Sequence, residues 1–438
     1  MMTGKIGFST GSLLLFIYLI EGIVGKSRLG YYWGPTWQVH EAMTVLLTVT
    51  LLSYLWWAKY QHVGSYLRDK SQRIVELAAL SFIGWGFVSC ASQEAAINNI
   101  ICFAVFAGMI MVLGISAQVY LRNTAPEKVL ELITLSTGLA AVGCIVAWLS
   151  GFGAPVAEGR LTGIYNNPIT AARMITLSSL LLLWMLISSK KHRKLVWTML
   201  VLSVVAVFLT RTRTNIAALM ISSIVLAARS PYRDSRRSAR FTRGLFFVSL
   251  LGLALSLSFV SPDDVTAARA FLRVDMSVKD VPSDRMQYWE KGIQDLTIQN
   301  VFGQGYLAAF GGGGGGFEES NYDVYSNRHN ILFSCAQSYG VVGLSLFCIF
   351  LAAYFYRFVV HRTAMAALGL AVLAYSLITG LTGNCLLSFG DPADRLAWFL
   401  IGICSLYADR PMMHVLARRS RCLVEGRPRQ IIGDLRQC

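Results

Sequence analysis

About a dozen apolar runs, each near the length needed to cross a bilayer, govern what this chain can become. A hydrocarbon core about 30 Å thick takes roughly 20 residues of helix. Runs of that order lie near 7–25, 39–58, 74–90, 97–116, 129–149, 168–187, 195–210, 214–228, 244–260, 331–356, 364–384 and 395–407. Backbone polar groups have no water to bond in lipid, so such runs must close their hydrogen bonds internally as helices. The composition agrees, with 55% hydrophobic and only 14% charged residues. A soluble globular chain carries about 25% charged residues, and a disordered one far fewer apolar ones. The expected fold is an all-α polytopic membrane protein of about 12 transmembrane helices.

The pair 195–210 and 214–228 is divided only by the RTRT step at 211–214. Without that break the count falls to eleven and the termini face opposite sides. Charge decides for twelve. With the N-terminus in the cytoplasm, about two thirds of the Lys and Arg fall in inner segments, as the positive-inside rule requires. These include Lys190, Lys191, Arg193 and Lys194, then Arg229–Arg243, then the tail from Arg410 to Arg436. The net charge of +15 is therefore topogenic and does not call for nucleic acid. The first run is long and contains Glu21, which favours a retained helix over a cleaved signal peptide. The nine cysteines form no CxxC pair, and no His/Cys/acid cluster has metal spacing.

These features divide the chain into a helical region at 1–260, a polar outer loop at 261–330, three further spans at 331–407 and a basic cytoplasmic tail at 408–438. The loop carries ten acids, six bases and the glycine run Gly311–Gly316, which reads as a flexible hinge. Helical stretches are expected near 263–273 and 283–299, the second behind Pro282 and a Ser283-Asp284 cap. A loop this long in a chain of otherwise short connections is usually functional.

Charges are costly in a bilayer, so the informative ones lie outside the inner clusters. Four places on the outer side stand out: Arg160 with Asn167 in GRLTGIYNNP, Arg211 and Arg213 in TRTRTN, Arg285 in SDRMQYW, and His329 in NRHN. All face one aqueous boundary in this topology. Guanidinium groups stay charged and fork onto phosphate oxygens, which suits a diphosphate ligand. The competing reading of Arg211 and Arg213 is a snorkelling arginine at a helix end. Arg285 has Asp284 beside it as a structural ion-pair partner. Histidine exchanges its proton near neutral pH, so His329 suits the acceptor of a hydroxyl proton, against the simpler role of an interfacial cap. No spacing singles out a carboxylate pair among the ten loop acids.

The segment RHNILFSCAQSYGVVGLSLF resembles the His-Asn, nine residues, Gly-x-x-Gly signature of the O-antigen ligase and polysaccharide polymerase superfamily. Here it runs from His329 and Asn330 through Gly340 and Gly343. TRTRTN is similar to the family's Thr-x-Ser-Arg step, which favours Arg213 over Arg211 and leaves Thr212 in the serine position. DRMQYWEKGIQDLTIQNVFGQGY resembles the loop stretch with Arg285, Trp289 and a Gly303-x-Gly305 turn, and GIYNNPITAA resembles the Asn-Pro segment. The resemblance implies a GT-C-like membrane glycosyltransferase with one long periplasmic loop in the bacterial inner membrane. It implies a glycan donor on undecaprenyl diphosphate, no metal or other cofactor, and an acceptor that is lipid A-core for a ligase or a lipid-linked saccharide for a Wzy-type polymerase. His329, Arg285 and Arg213 become the catalytic candidates; Arg211, Arg160, Asn167, Asn330 and Trp289 become substrate-binding candidates. The alternative outside this class is a transporter of lipid-linked saccharide. No internal repeat supports it, and the distinctive polar groups gather on one face.

Overall fold

The computed structural model describes residues 10–25, 37–60, 70–93, 96–120, 125–151, 160–165, 167–189, 192–231, 301–307, 330–383, 385–388 and 391–409. The expected span 244–260, both expected loop helices, the glycine run, Arg285, Trp289, His329 and the basic tail lie outside the described residues. The described part is helical, without strands.

Helices occupy eleven of the twelve apolar runs. In chain order they are α1 (Thr10–Gly25), α2 (Trp37–Tyr60), α3 (Lys70–Ala91), α4 (Ala96–Met109), α5 (Pro126–Leu149), α6 (Pro168–Ser188), α7 (Arg193–Leu209), α8 (Arg213–Arg229), α9 (Ile331–Val360), α10 (Ala364–Gly380) and α11 (Pro392–Leu406). By length and composition, α3, α4 with its extension to Ile115, α5, α6 and α9 are able to cross a membrane, and shorter apolar stretches lie in α1, α2 and α10. The break at RTRT is present, with α7 ending at Leu209 and α8 beginning at Arg213.

The bundle is apolar outside as well as inside. Leu46, Leu77, Leu139, Ile224, Ile349 and Phe355 are exposed on helix faces, which in a soluble protein would drive aggregation and in a bilayer meets acyl chains. At the end of α2, Trp56 and Trp57 project outward, the placement that anchors a helix at a lipid–water interface.

The centre is α11, in which every residue is buried. It packs against α1, α6, α10 and the π-helical continuation of α4 at Ile110–Ile115. That turn widens the helix, with Ser116 N–H reaching Met111 O at 2.9 Å. The freed Gly114 carbonyl accepts Tyr354 Oη at 3.0 Å, and Trp398 of α11 stacks on Phe350 of α9 at 5.5 Å.

The helix directions bring one end of the bundle together. Arg229, at the end of α8, donates to the carbonyls of Phe358 and Val359 at the end of α9. The two helices therefore run the same way, and their first residues share the opposite end. There Asn330 Nδ2 donates to Leu381 O at 3.3 Å, just past the end of α10. Leu161 N–H reaches Leu209 O at 3.0 Å at the end of α7, and Arg173 of α6 meets Asp391 at the start of α11 at 2.6 Å. The segments singled out in the sequence, so far as they are described, all sit at this end.

Candidate functional site

The first component is the turn between α7 and α8. Thr210 and Arg211 close α7 through bonds to Ala206 O and Phe208 O. Arg211 then adopts a left-handed conformation at φ +54°. Such a conformation costs a non-glycine residue roughly 1–2 kcal/mol and needs support from its surroundings. The support is visible: the Thr210 and Thr212 hydroxyls lie 2.7 Å apart, and Arg160 Nε donates to Thr210 O at 3.0 Å. Because the Thr212 hydroxyl is engaged with Thr210, it makes no cap bond to α8. Thr212 thus serves the turn.

Arg213 is the first residue of α8 and is exposed; Arg211 and Arg160 are half-buried beside it. A helix N-terminus carries a partial positive charge that disfavours cations and favours anions by about 0.3–1 kcal/mol each. Arg211 and Arg213 in this turn, with Arg160 bonded to it, make a donor set suited to an anion. The segment from Arg160 continues into buried Tyr165, whose phenol burial pushes above its usual range and keeps neutral. Asn167 follows as the cap of α6, its Oδ1 accepting Ile169 N–H at 2.7 Å.

The second component is the connection between α10 and α11. Arg173, seated in α6, forks between Asp391 and Asp394 and also donates to Cys385 Sγ at 3.0 Å. Burial pushes the Cys385 thiol up to about 12, with Arg173 pulling it down, so the sulfur stays protonated at neutral pH. The connection is held by its backbone too: Ser388 N–H bonds Asp394 Oδ2 at 3.1 Å and Trp398 Nε1 bonds Leu386 O at 2.9 Å. Asp391 and Asp394 are not among the residues picked from the sequence. Their signal is Arg173, a charge inside an apolar run that has to find an acid partner. A neighbouring set, Arg395 with Glu21, Tyr18 O and Thr44, joins α11 to α1 and α2.

The third component explains the glycine signature. α9 is kinked at Gly340, where φ is +69° and ψ is −174°. The kink strips three carbonyls of their helical partners, and each finds another. Gln304 N–H bonds Gln337 O at 2.8 Å, Gly305 N–H and Ser89 Oγ both bond Ser338 O at 2.9 Å, and Trp85 Nε1 bonds Tyr339 O at 2.8 Å. Gln304 and Gly305 come from the long loop, whose residues 301–307 lie in the kink, and Ser89 and Trp85 come from α3. Gly303 and Gly305 have φ of +77° and +83°, and a side chain on Gly303 would run into Gly340 N and Ser338 O. The Gly-x-Gly pair of the loop and the first glycine of the helix signature are therefore two halves of one contact. Gly303→Ala is expected to cost about 1–3 kcal/mol by overpacking, read as a lowered thermal midpoint in detergent, whereas Gly151→Ala, whose added methyl meets nothing within 4 Å, costs less.

Asn330 is buried and caps α9, with Oδ1 accepting Leu332 N–H at 2.9 Å while Nδ2 binds Leu381 O. Both asparagines picked as substrate contacts thus hold helix starts in the structure. Of the picked residues, Arg160 is bonded to the turn that carries Arg211 and Arg213, and Asn330 is joined to the α10–α11 connection. Arg285, Trp289 and His329 lie outside the described residues.

Comparison with known proteins gives one family. Residues 198–348, which contain the α7–α8 turn, the long loop and the start of α9, match the family model described as O-antigen ligase. No curated protein matches the chain.

Proposed function

We propose that the chain, whose residues 198–348 match the O-antigen ligase family model, is a metal-independent, inverting glycosyltransferase of the bacterial inner membrane. It moves a glycan from undecaprenyl diphosphate to an acceptor hydroxyl at the periplasmic face, acting as an O-antigen ligase with lipid A-core as acceptor. The observation that carries this reading is the arginine corner at the start of α8, at the same bundle end as the start of α9. The charge distribution supports turning that end away from the cytoplasm, with both termini inside.

The chemistry follows from the residue types. Arg213 and Arg285, with Arg211, hold the diphosphate and stabilise the charge that grows on it as the glycosidic bond breaks. Fixed guanidinium groups supply there what a divalent cation would otherwise supply. His329, in its neutral form, accepts the proton of the acceptor hydroxyl as the oxygen attacks the anomeric carbon. One displacement inverts that centre, and the polyprenyl diphosphate leaves with the bonding electron pair. Arg160 supports the turn from behind, and Trp289 offers a flat apolar surface to a sugar ring.

Deletion of the gene followed by gel analysis of the surface polysaccharide tests the reading. Complete lipid A-core without O-chain, with glycan accumulating on the carrier lipid, is the expected result. A single attached repeat, or lost exopolysaccharide above a normal core, would assign the same chemistry to a polymerase. Unchanged polysaccharide would remove the function.

A further inference from the structure

The α10–α11 connection is bonded to the cap of α9 and to the 301–307 stretch of the long loop. Near its start, Leu381 O accepts from Asn330, the residue that follows His329 in the chain. Further along, Leu387 O accepts Tyr306 Oη at 3.0 Å. Tyr306 is buried, packs 5.5 Å from Phe106, and ends the Gly303–Tyr306 stretch that fills the α9 kink. Leu307 N–H is held in turn by Asn99 Oδ1 at 2.9 Å. The connection is therefore bonded both to the 301–307 stretch of the long loop and to the cap of α9.

What fixes the connection is an ionic group with no direct part in the chemistry described above. Asp394 is fully buried, receives Arg173, and accepts Ser388 N–H one residue from Leu387. Leu386, between Cys385 and Leu387, holds φ +70°, a strained value for a leucine that requires the surroundings to over-determine it. Arg173 on one side and Trp398 on the other do so. A buried ion group is a poor source of net stability compared with apolar packing, and its best-attested benefit is a defined arrangement. The arginine corner rests on the α7–α8 turn and on Arg160.

We propose that Arg173, Asp394 and Tyr306 are positioning residues of the acceptor side: through the α10–α11 connection they set the start of α9 and residues 301–307 of the long loop against each other. The proposal rests on the glycosyl-transfer reading of the site. It separates two jobs at one end of the bundle, with donor grip on α7–α8 and acceptor placement on α9, the 301–307 stretch and the α10–α11 connection.

Tyr306→Phe is the sharpest variant, because it removes one hydroxyl and keeps the ring packing. Arg173→Lys keeps the charge and reaches one carboxylate instead of two, and Asp394→Asn keeps the shape. Purified variants in lipid discs would be assayed with polyprenyl-diphosphate-linked saccharide and acceptor glycolipid, with folded protein counted by gel filtration. Acceptor KM is expected to rise by about 3- to 10-fold in Tyr306→Phe, the size of one hydrogen bond, with donor KM unchanged. Arg173→Lys should fall between wild type and Asp394→Asn. A merely structural role lowers the active fraction and moves neither KM. Wild-type acceptor KM in Tyr306→Phe and Arg173→Lys, or equal rises in donor and acceptor KM, overturns the proposal. His329→Ala serves as the separate control. Undiminished transfer in that variant sinks the transfer mechanism itself, whereas lost transfer with unmoved acceptor KM in the other variants sinks only the positioning role.

Discussion

Arg213→Ala is expected to slow glycan transfer about 100- to 1,000-fold, the usual cost of removing one preorganised group that stabilises transition-state charge. The residue is exposed at the first position of α8, so its loss leaves no buried hole and the protein should express and fold as wild type. The effect should fall on donor use, seen as lower kcat/KM for the polyprenyl-linked saccharide. Arg213→Lys should recover only part of the rate, because an ammonium keeps the charge and loses the planar fork. A snorkelling arginine with no ligand would behave differently, with lysine replacing it fully and alanine costing little. Steady-state kinetics on the three proteins separate the two.

Arg395→Ala should act on stability. Its guanidinium is 1% exposed as a residue and bonds Glu21, Tyr18 O and Thr44 Oγ1, with its centre 4.6 Å from the Tyr18 ring. Removing one member of a buried pair strands the other, at a cost of about 3–5 kcal/mol. Glu21 would then keep the Thr44 hydroxyl and lose the guanidinium that balances its charge. The double variant Arg395→Met with Glu21→Gln removes both charges and keeps the bulk, and should lose clearly less than Arg395→Ala alone. Thermal unfolding in detergent provides the measurement. Equal losses in the single and double variants would mean that packing, not the stranded charge, sets the cost.

The helices are the legible part of this chain, for a physical reason. Lipid forces each crossing segment to satisfy its own backbone, so span and hydropathy coincide and the apolar runs mark helices within a few residues. The RTRT break follows the same rule: two arginines in adjacent apolar runs have to sit where the chain turns. Long-range pairing follows no such rule. Glu21 argues only against a cleaved signal peptide when seen alone, and its partner Arg395 lies 374 residues away. Arg173 announces a missing acid, but Asp391 and Asp394 stand 218 and 221 residues along the chain and look there like an ordinary helix cap.

The motifs divide in the same way. His-Asn-x9-Gly-x-x-Gly and Gly-x-Gly are visible as patterns, yet their common purpose, a kinked helix plugged by a stretch of the long loop, appears only when Gln304 and Gly305 are found on the carbonyls of Gln337 and Ser338. Asn167 and Asn330 are chosen from the sequence for their place in the motifs, and the structure gives each a capping bond that a position next to a proline or an apolar run also explains. The Arg160 contact with the α7–α8 turn is the one link between separate candidate segments that hydropathy and charge point toward without naming the partner atom.

The most direct test of the central claim uses purified protein in lipid discs, supplied with a polyprenyl-diphosphate-linked saccharide and an acceptor glycolipid. A joined product with inverted anomeric configuration is expected from wild type, and its loss is expected in both Arg213→Ala and His329→Ala. Saccharide carried across the bilayer with no joined product, or a product that survives both substitutions, would contradict it.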